Sequence, residues 1–196
     1  MAGPRARALS LAEFGGRIRI FTVSAAIEDG SPLRALTGSP MESWPQRRDR
    51  IQAAVTRCGL TWPGREIDVM TSPNTVNADE ASDLAVAVAI LAASGQVPAL
   101  AAQDAIFYAG LGNDGRLQPV PGIADAATAV AGIGAPLVVA VSDIGYTAQV
   151  PGLPVIGART LAEVAAWLRE APQAHFPSLI RTDPPPVADM ATLPGN

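Results

Sequence analysis

The chain has 196 residues, of which 48% are hydrophobic and only 16% charged, with a net charge of −4. That length allows one domain with a buried core, and the acidic balance speaks against a free-standing nucleic-acid binder, which usually carries a basic excess. All 14 basic residues are arginine, and His175 and Cys58 are the single histidine and cysteine, which excludes a P-loop, a lysine Schiff base, a Cys/His zinc site and an intrachain disulfide from this chain. Residues 1–16 read as a first strand or a flexible arm. Residues 18–27, IRIFTVSAAI, are rich in β-branched types and end at Asp29-Gly30, which predicts a strand and a turn, with 32–37 as a pairing partner. A helix follows from about Ser43 to Cys58 and is closed by Gly59. Its apolar face is Trp44, Ile51, Ala54, Val55 and Cys58, with Arg47, Arg48, Asp49 and Arg50 opposite.

Glu66 to Thr71 alternates and predicts a strand, and 72–81 reads as a polar loop. The stretch 82–94 is apolar nearly all round, which predicts a helix deep in the core. Ala105 to Gly112 reads as a strand, Asn113-Asp114-Gly115 as a turn, and Arg116 to Val120 as the returning strand. A small-residue helix over 122–131, short strands at 137–141 and 153–156, and an amphipathic helix at 160–170 complete the domain. Thr160 and Glu163 have capping-box spacing. Residues 171–196 carry six prolines and little periodicity and read as a disordered tail. The division is therefore an N-terminal segment over 1–16, a domain over 17–170 and the tail. The mixture of strands and helices without strict alternation points to an α+β domain. The longest apolar run, Leu84 to Ala93, is about half of what spans a bilayer. No secretory leader is visible, so a cytoplasmic protein without a membrane partner is expected.

Few residues offer chemistry. Gly110 to Gly115 matches G-x-G-x-x-G, but prolines at 119 and 121 follow where a dinucleotide site needs a helix, so a hairpin turn is the better reading. Asp79, Glu80 and Asp83 precede the apolar helix and are the candidate metal ligands. Acidic residues also favour a first turn simply because they offset the helix dipole. Ser82 is the candidate nucleophile, yet no base is identifiable for it. Arg47, Arg48, Arg50 and Arg57 share one helix and are the candidate contacts to phosphate or to an acidic partner.

The order of segments carries a resemblance. GSPLRALTGSP, RRDRIQAAVTRCGLTWPGREIDV, SDLAVAVAILAASGQVP, YAGLGNDGRLQPVPGI and LPVIGARTLAEVAAWLRE, within residues 7–170, resemble the N-terminal domain of the ComM/YifB family of magnesium-chelatase-subunit-I-like proteins. The resemblance implies a Lon-protease-like α+β fold of the ribosomal-protein-five domain-two type, a mixed sheet with packed helices. It also implies that the family's Lon-serine position falls near Ala81 or Ser82 and the Lon-lysine position at Ala124. Members of the family continue into an AAA+ ATPase domain, and ComM is linked to branch migration of DNA. The expectation is a non-catalytic domain without cofactor, an adaptor or scaffold for an AAA+ ATPase or for its own kind. The rival readings are a divergent peptidase using Ser82 and weak DNA binding through the arginine helix.

Overall fold

The computed structural model describes residues 3–28, 44–73, 76 and 78–170. The expected hairpin partner at 32–37 and the proline-rich tail lie outside these residues. Strand β1 (Arg5–Phe14) turns through Gly15 and Gly16 into β2 (Arg17–Glu28), and the two pair antiparallel from Phe14↔Arg17 to Arg5↔Ala26. Both turn glycines have positive φ, 56° and 77°, the two-residue hairpin geometry that suits the twist of the strands. Helix α1 (Trp44–Arg57) leads to β3 (Glu66–Ser72), and a 3-10 turn at Glu80–Ser82 leads into α2 (Asp83–Ala93). Then come α3 (Ala99–Gln103), β4 (Ile106–Phe107), β5 (Gly110–Leu111), β6 (Leu117–Gln118) and α4 (Ile123–Ala129). The described chain closes with β7 (Leu137–Ala140), α5 (Ile144–Thr147), β8 (Val155–Ala158) and α6 (Leu161–Glu170).

The main sheet has the order β3-β2-β1-β4-β7-β8. Its β3-β2-β1 side is antiparallel, and its β1-β4-β7-β8 side is parallel. Residues 5–14 thus form an interior strand of the sheet. Strand alternation sends Ala6, Ala8 and Ala12 of β1 to one face and Leu9 and Leu11 to the other. The first face packs on α2, with α1 and α6 in the same apolar cluster. The second face packs on α4. The result is an α+β fold, a mixed sheet covered on both sides. All 11 residues of α2 are buried, as its all-round apolar sequence requires. No described helix is long and apolar enough to cross a membrane.

Two expected strands are corrected. Ala105 to Gly112 is not continuous: β4 stays in the main sheet, while β5 leaves it and pairs only with β6. The break at Tyr108-Ala109 lets the Ala109 carbonyl accept from the Leu84 N–H at the start of α2, 3.3 Å away. The last strand lies two residues later than the apolar pattern placed it, at Val155–Ala158. Short helices α3 and α5 carry no periodicity long enough to read. The Thr160 hydroxyl does cap the Glu163 N–H at 3.2 Å, but the Glu163 carboxylate reaches back to the Arg159 N–H at 2.7 Å, one residue beyond the expected box.

Candidate functional site

The site grows from the turn that starts α2. The Asp79 carboxylate accepts from the Ala81 N–H at 3.0 Å and fixes the 3-10 turn. That turn places Ser82 and Asp83, both fully buried, beneath α1. Arg47 comes down from α1 and meets them: its Nε donates to Asp83 Oδ1 at 2.7 Å, its Nη1 to the Ala78 carbonyl at 2.6 Å, and its Nη2 to Ser82 Oγ at 3.0 Å. Arg50, one turn along, donates through Nε and Nη2 to Asp83 Oδ2 at 3.1 and 2.6 Å, and through Nη1 to Glu80 at 3.1 Å. One buried carboxylate is therefore bridged by two guanidiniums, the planar fork geometry that favours arginine over lysine in buried pairs. Burial is the larger influence on Asp83 and pushes its pKa up, and Arg47 and Arg50 oppose it.

This arrangement corrects the outward reading of Arg47, which is only 4% exposed. Position 47 lies four residues before Ile51 and seven before Ala54, so helical geometry puts it on the buried face. The four helix arginines do not act as one surface. Arg47 and Arg50 turn inward to Asp83, Arg48 pairs with exposed Asp49, and Arg57 is exposed at the helix end. The candidate metal ligands are likewise dispersed. Asp83 faces the arginines, Glu80 pairs with Arg50, and Asp79 caps the turn. Among the described residues no three His, Cys, Asp or Glu side chains converge on a point that suits a metal. Ser82 Oγ donates to the Asp79 carbonyl at 2.7 Å while accepting from Arg47, so its proton and a lone pair are both committed to the turn. Of the residues at the Lon-like positions, Ala81 is buried with Val120 and Ile123, Ser82 beside it is buried too, and Ala124 is exposed at the start of α4. Gly110 to Gly115 forms the β5–β6 hairpin: Gly115 has φ +82° and donates to the Gly112 carbonyl at 3.0 Å. A side chain at Gly115 would run into Cys58 Sγ, which explains both the glycine and the half-buried thiol.

A groove of about 470 Å³ opens beside the turn. It is lined by Arg50, residues 79–81 and Asp83, together with Gly110–Gly112 and Gln118–Pro121. Two polar residues behind it carried no sequence signal. Asp143, only 3% exposed, follows the apolar strand β7 and accepts from the Val120 N–H at 3.2 Å. Tyr108 is 8% exposed, and burial, then the charge of Asp79, push its pKa up. Burial also pushes the Asp143 carboxyl above its ordinary 3.8, with the Val120 N–H opposing. A carboxyl with a raised folded pKa binds more protons folded than unfolded, so the fold gains stability as pH falls through that raised pKa. Asp143→Asn keeps an acceptor for Val120 and removes the buried charge. Its melting temperature should exceed the parent's at pH 7, and the difference should vanish below the ordinary carboxyl range. A lower melting temperature at pH 7 would show that the charge itself stabilises the fold.

Comparison with known proteins fits this architecture. The family model described as subunit ChlI of Mg-chelatase matches residues 23–143, more than half of the chain. An uncharacterized protein of Mycobacterium tuberculosis is 34% identical over 192 residues, covering 96% of this chain and 38% of that protein. The uncharacterized protein YifB of Escherichia coli is 28% identical over 148 residues, covering 75% of this chain and 29% of its own. The competence protein ComM of Haemophilus influenzae is 27% identical over 160 residues, covering 81% and 31%. The chain thus spans less than two fifths of the length of these relatives. On the family match and these shared stretches, the chain belongs to the Mg-chelatase ChlI-like family of YifB and ComM.

Proposed function

We propose that this domain works by binding protein, as a non-catalytic adaptor or scaffold for an AAA+ ATPase or for a second copy of itself. The observation that carries this reading is the state of Ser82. Its hydroxyl is buried, hydrogen-bonded to a backbone carbonyl and held by a guanidinium. A serine nucleophile needs a base to take its proton, and a guanidinium stays protonated and cannot serve. Ala124, where the resemblance places the Lon lysine, agrees with the same reading. Kinship with a protein named for competence favours a place in the handling of incoming DNA, with the ATPase as the partner that does the work.

The test has two parts. The purified chain should give no casein hydrolysis above that of its Ser82→Ala variant. Sedimentation with a purified ComM-type ATPase, and of the chain alone, should show a complex in one case or the other. Turnover that disappears in Ser82→Ala would make the domain a peptidase and overturn the reading.

A further inference from the structure

We propose that the outer edge of β2 at the hairpin tip, residues 17–21, binds an extended acidic segment of a partner protein as an added strand, with acidic side chains set against Arg17 and Arg19. The proposal rests on the protein-binding reading above and names the chemistry of what is bound. The backbone gives the first argument. The β2–β3 ladder ends at Thr22↔Ser72, and the next residue, Pro73, has no N–H to continue it. Val76 is already in the core on the first face of the sheet, so the chain after Ser72 leaves the sheet plane. From Arg17 to Phe21, β2 pairs with β1 alone. The two-residue turn makes Phe14 and Arg17 a hydrogen-bonded pair, and alternation turns Arg19 and Phe21 toward β1 as well. The N–H and C=O groups of Ile18 and Ile20 therefore point to the open edge, where no described residue bonds them. Such a row of free donors and acceptors is a template for a further strand.

Charge gives the second argument, independently of the backbone. Arg17 and Arg19 share the first face with their cross-strand partners Phe14 and Ala12. Both arginines are exposed, and neither has an ion pair among the described residues. The acidic residues of this end of the sheet lie on the second face. Glu13 follows the alternation of Leu9 and Leu11, Asp125 comes from α4, and both border a hollow of about 550 Å³ beside Ile18. The edge thus favours acid on its first face and repels it on the second. Ile18 and Ile20, half-buried, offer apolar surface on that second face. A strand antiparallel to β2, in line with β3, sends successive residues to alternate faces. The matching segment therefore alternates acidic and apolar residues, with the acids opposite Arg17 and Arg19. A nucleic acid could bring charge to the arginines but could not continue the ladder at Ile18 and Ile20, so a peptide is favoured.

The probe is a fluorescein-labelled peptide of alternating valine and glutamate, read by anisotropy against the full chain. It should bind at least about tenfold more tightly than a peptide of the same composition with its glutamates adjacent, and than its lysine counterpart. Methylating the valine amide nitrogens, which would meet Ile18 and Ile20, should cost at least about tenfold as well. The double variant Arg17→Gln/Arg19→Gln alters exposed side chains alone, should melt as the parent does, and should lose at least about tenfold in affinity. Arg17→Glu/Arg19→Glu should bind the lysine peptide in preference to the glutamate peptide. Equal affinity for the alternating and rearranged peptides, or an unchanged affinity in a natively melting Gln variant, overturns the proposal. An oligothymidylate that binds and displaces the peptide at lower concentration assigns the arginines to nucleic acid and overturns it too. Absence of peptide binding, with the ATPase complex or self-association intact, overturns the edge assignment alone. Peptide binding that follows the pattern above, without either complex, leaves the edge standing and overturns the partner named in the protein-binding reading.

Discussion

An Asp83→Asn variant should lose about 3–5 kcal/mol of stability, the usual cost of stripping a buried charge of its partner. The Arg47 guanidinium has 5% of its side chain exposed, so it cannot turn to water when the carboxylate goes. An asparagine in its place keeps one acceptor but points amide hydrogens at guanidinium hydrogens. Urea unfolding followed by circular dichroism measures the loss, and a value under about 1 kcal/mol would place the pair among weakly coupled surface ion pairs. Replacing Arg47 and Asp83 together by leucine and methionine should be far milder, because well-packed apolar residues often substitute for a buried pair without loss. The pair's role is then to hold α1 and the start of α2 in register.

Ile90→Ala should cost about 2–5 kcal/mol, the range for large buried aliphatic side chains cut to alanine. Ile90 is fully buried in a helix that has no solvent face, between the sheet and the other helices. A void at such a site has no water to fill it, and its lining loses contacts on one side. Ile90→Val should cost about 0.5–1.5 kcal/mol, so the two variants form a graded series. A loss under about 0.5 kcal/mol for the alanine variant, typical of surface positions, would contradict the burial of α2.

Elements with strong periodicity or unambiguous punctuation were legible in the sequence. The apolar run 84–93 announced α2, and Asn113-Asp114-Gly115 announced the β5–β6 turn. The split between β4 and β5 was not legible, because Tyr108, Ala109 and Gly110 suit a strand locally, and the bend is imposed by the carbonyl of Ala109 reaching Leu84. The site was half legible. Asp79, Glu80, Ser82, Asp83, Arg47 and Arg50 all stood out, but as separate candidates for metal, catalysis and surface contact. Their union depends on a contact between residues 36 apart in the chain. Reading charge as a sign of exposure misplaced Arg47, although its spacing to Ile51 and Ala54 held the answer. Asp143 and Tyr108 had no local pattern, since their burial comes from strands that meet only in the folded sheet.

The position of β1 has a consequence for how the chain folds. It is the seam of the sheet, antiparallel to β2 on one side and parallel to β4 on the other. Its first partner follows after a two-residue turn, whereas the Ser10 hydroxyl waits for the Phe107 carbonyl, 97 residues away. The hairpin can therefore close early and locally, while the parallel half must await a long loop closure whose entropy is spent before any contact rewards it. On a ribosome emitting the chain from its N-terminus, the β1 edge stays open until β4 has left the exit tunnel. That interval is when the nascent domain is most exposed to mispairing with another strand.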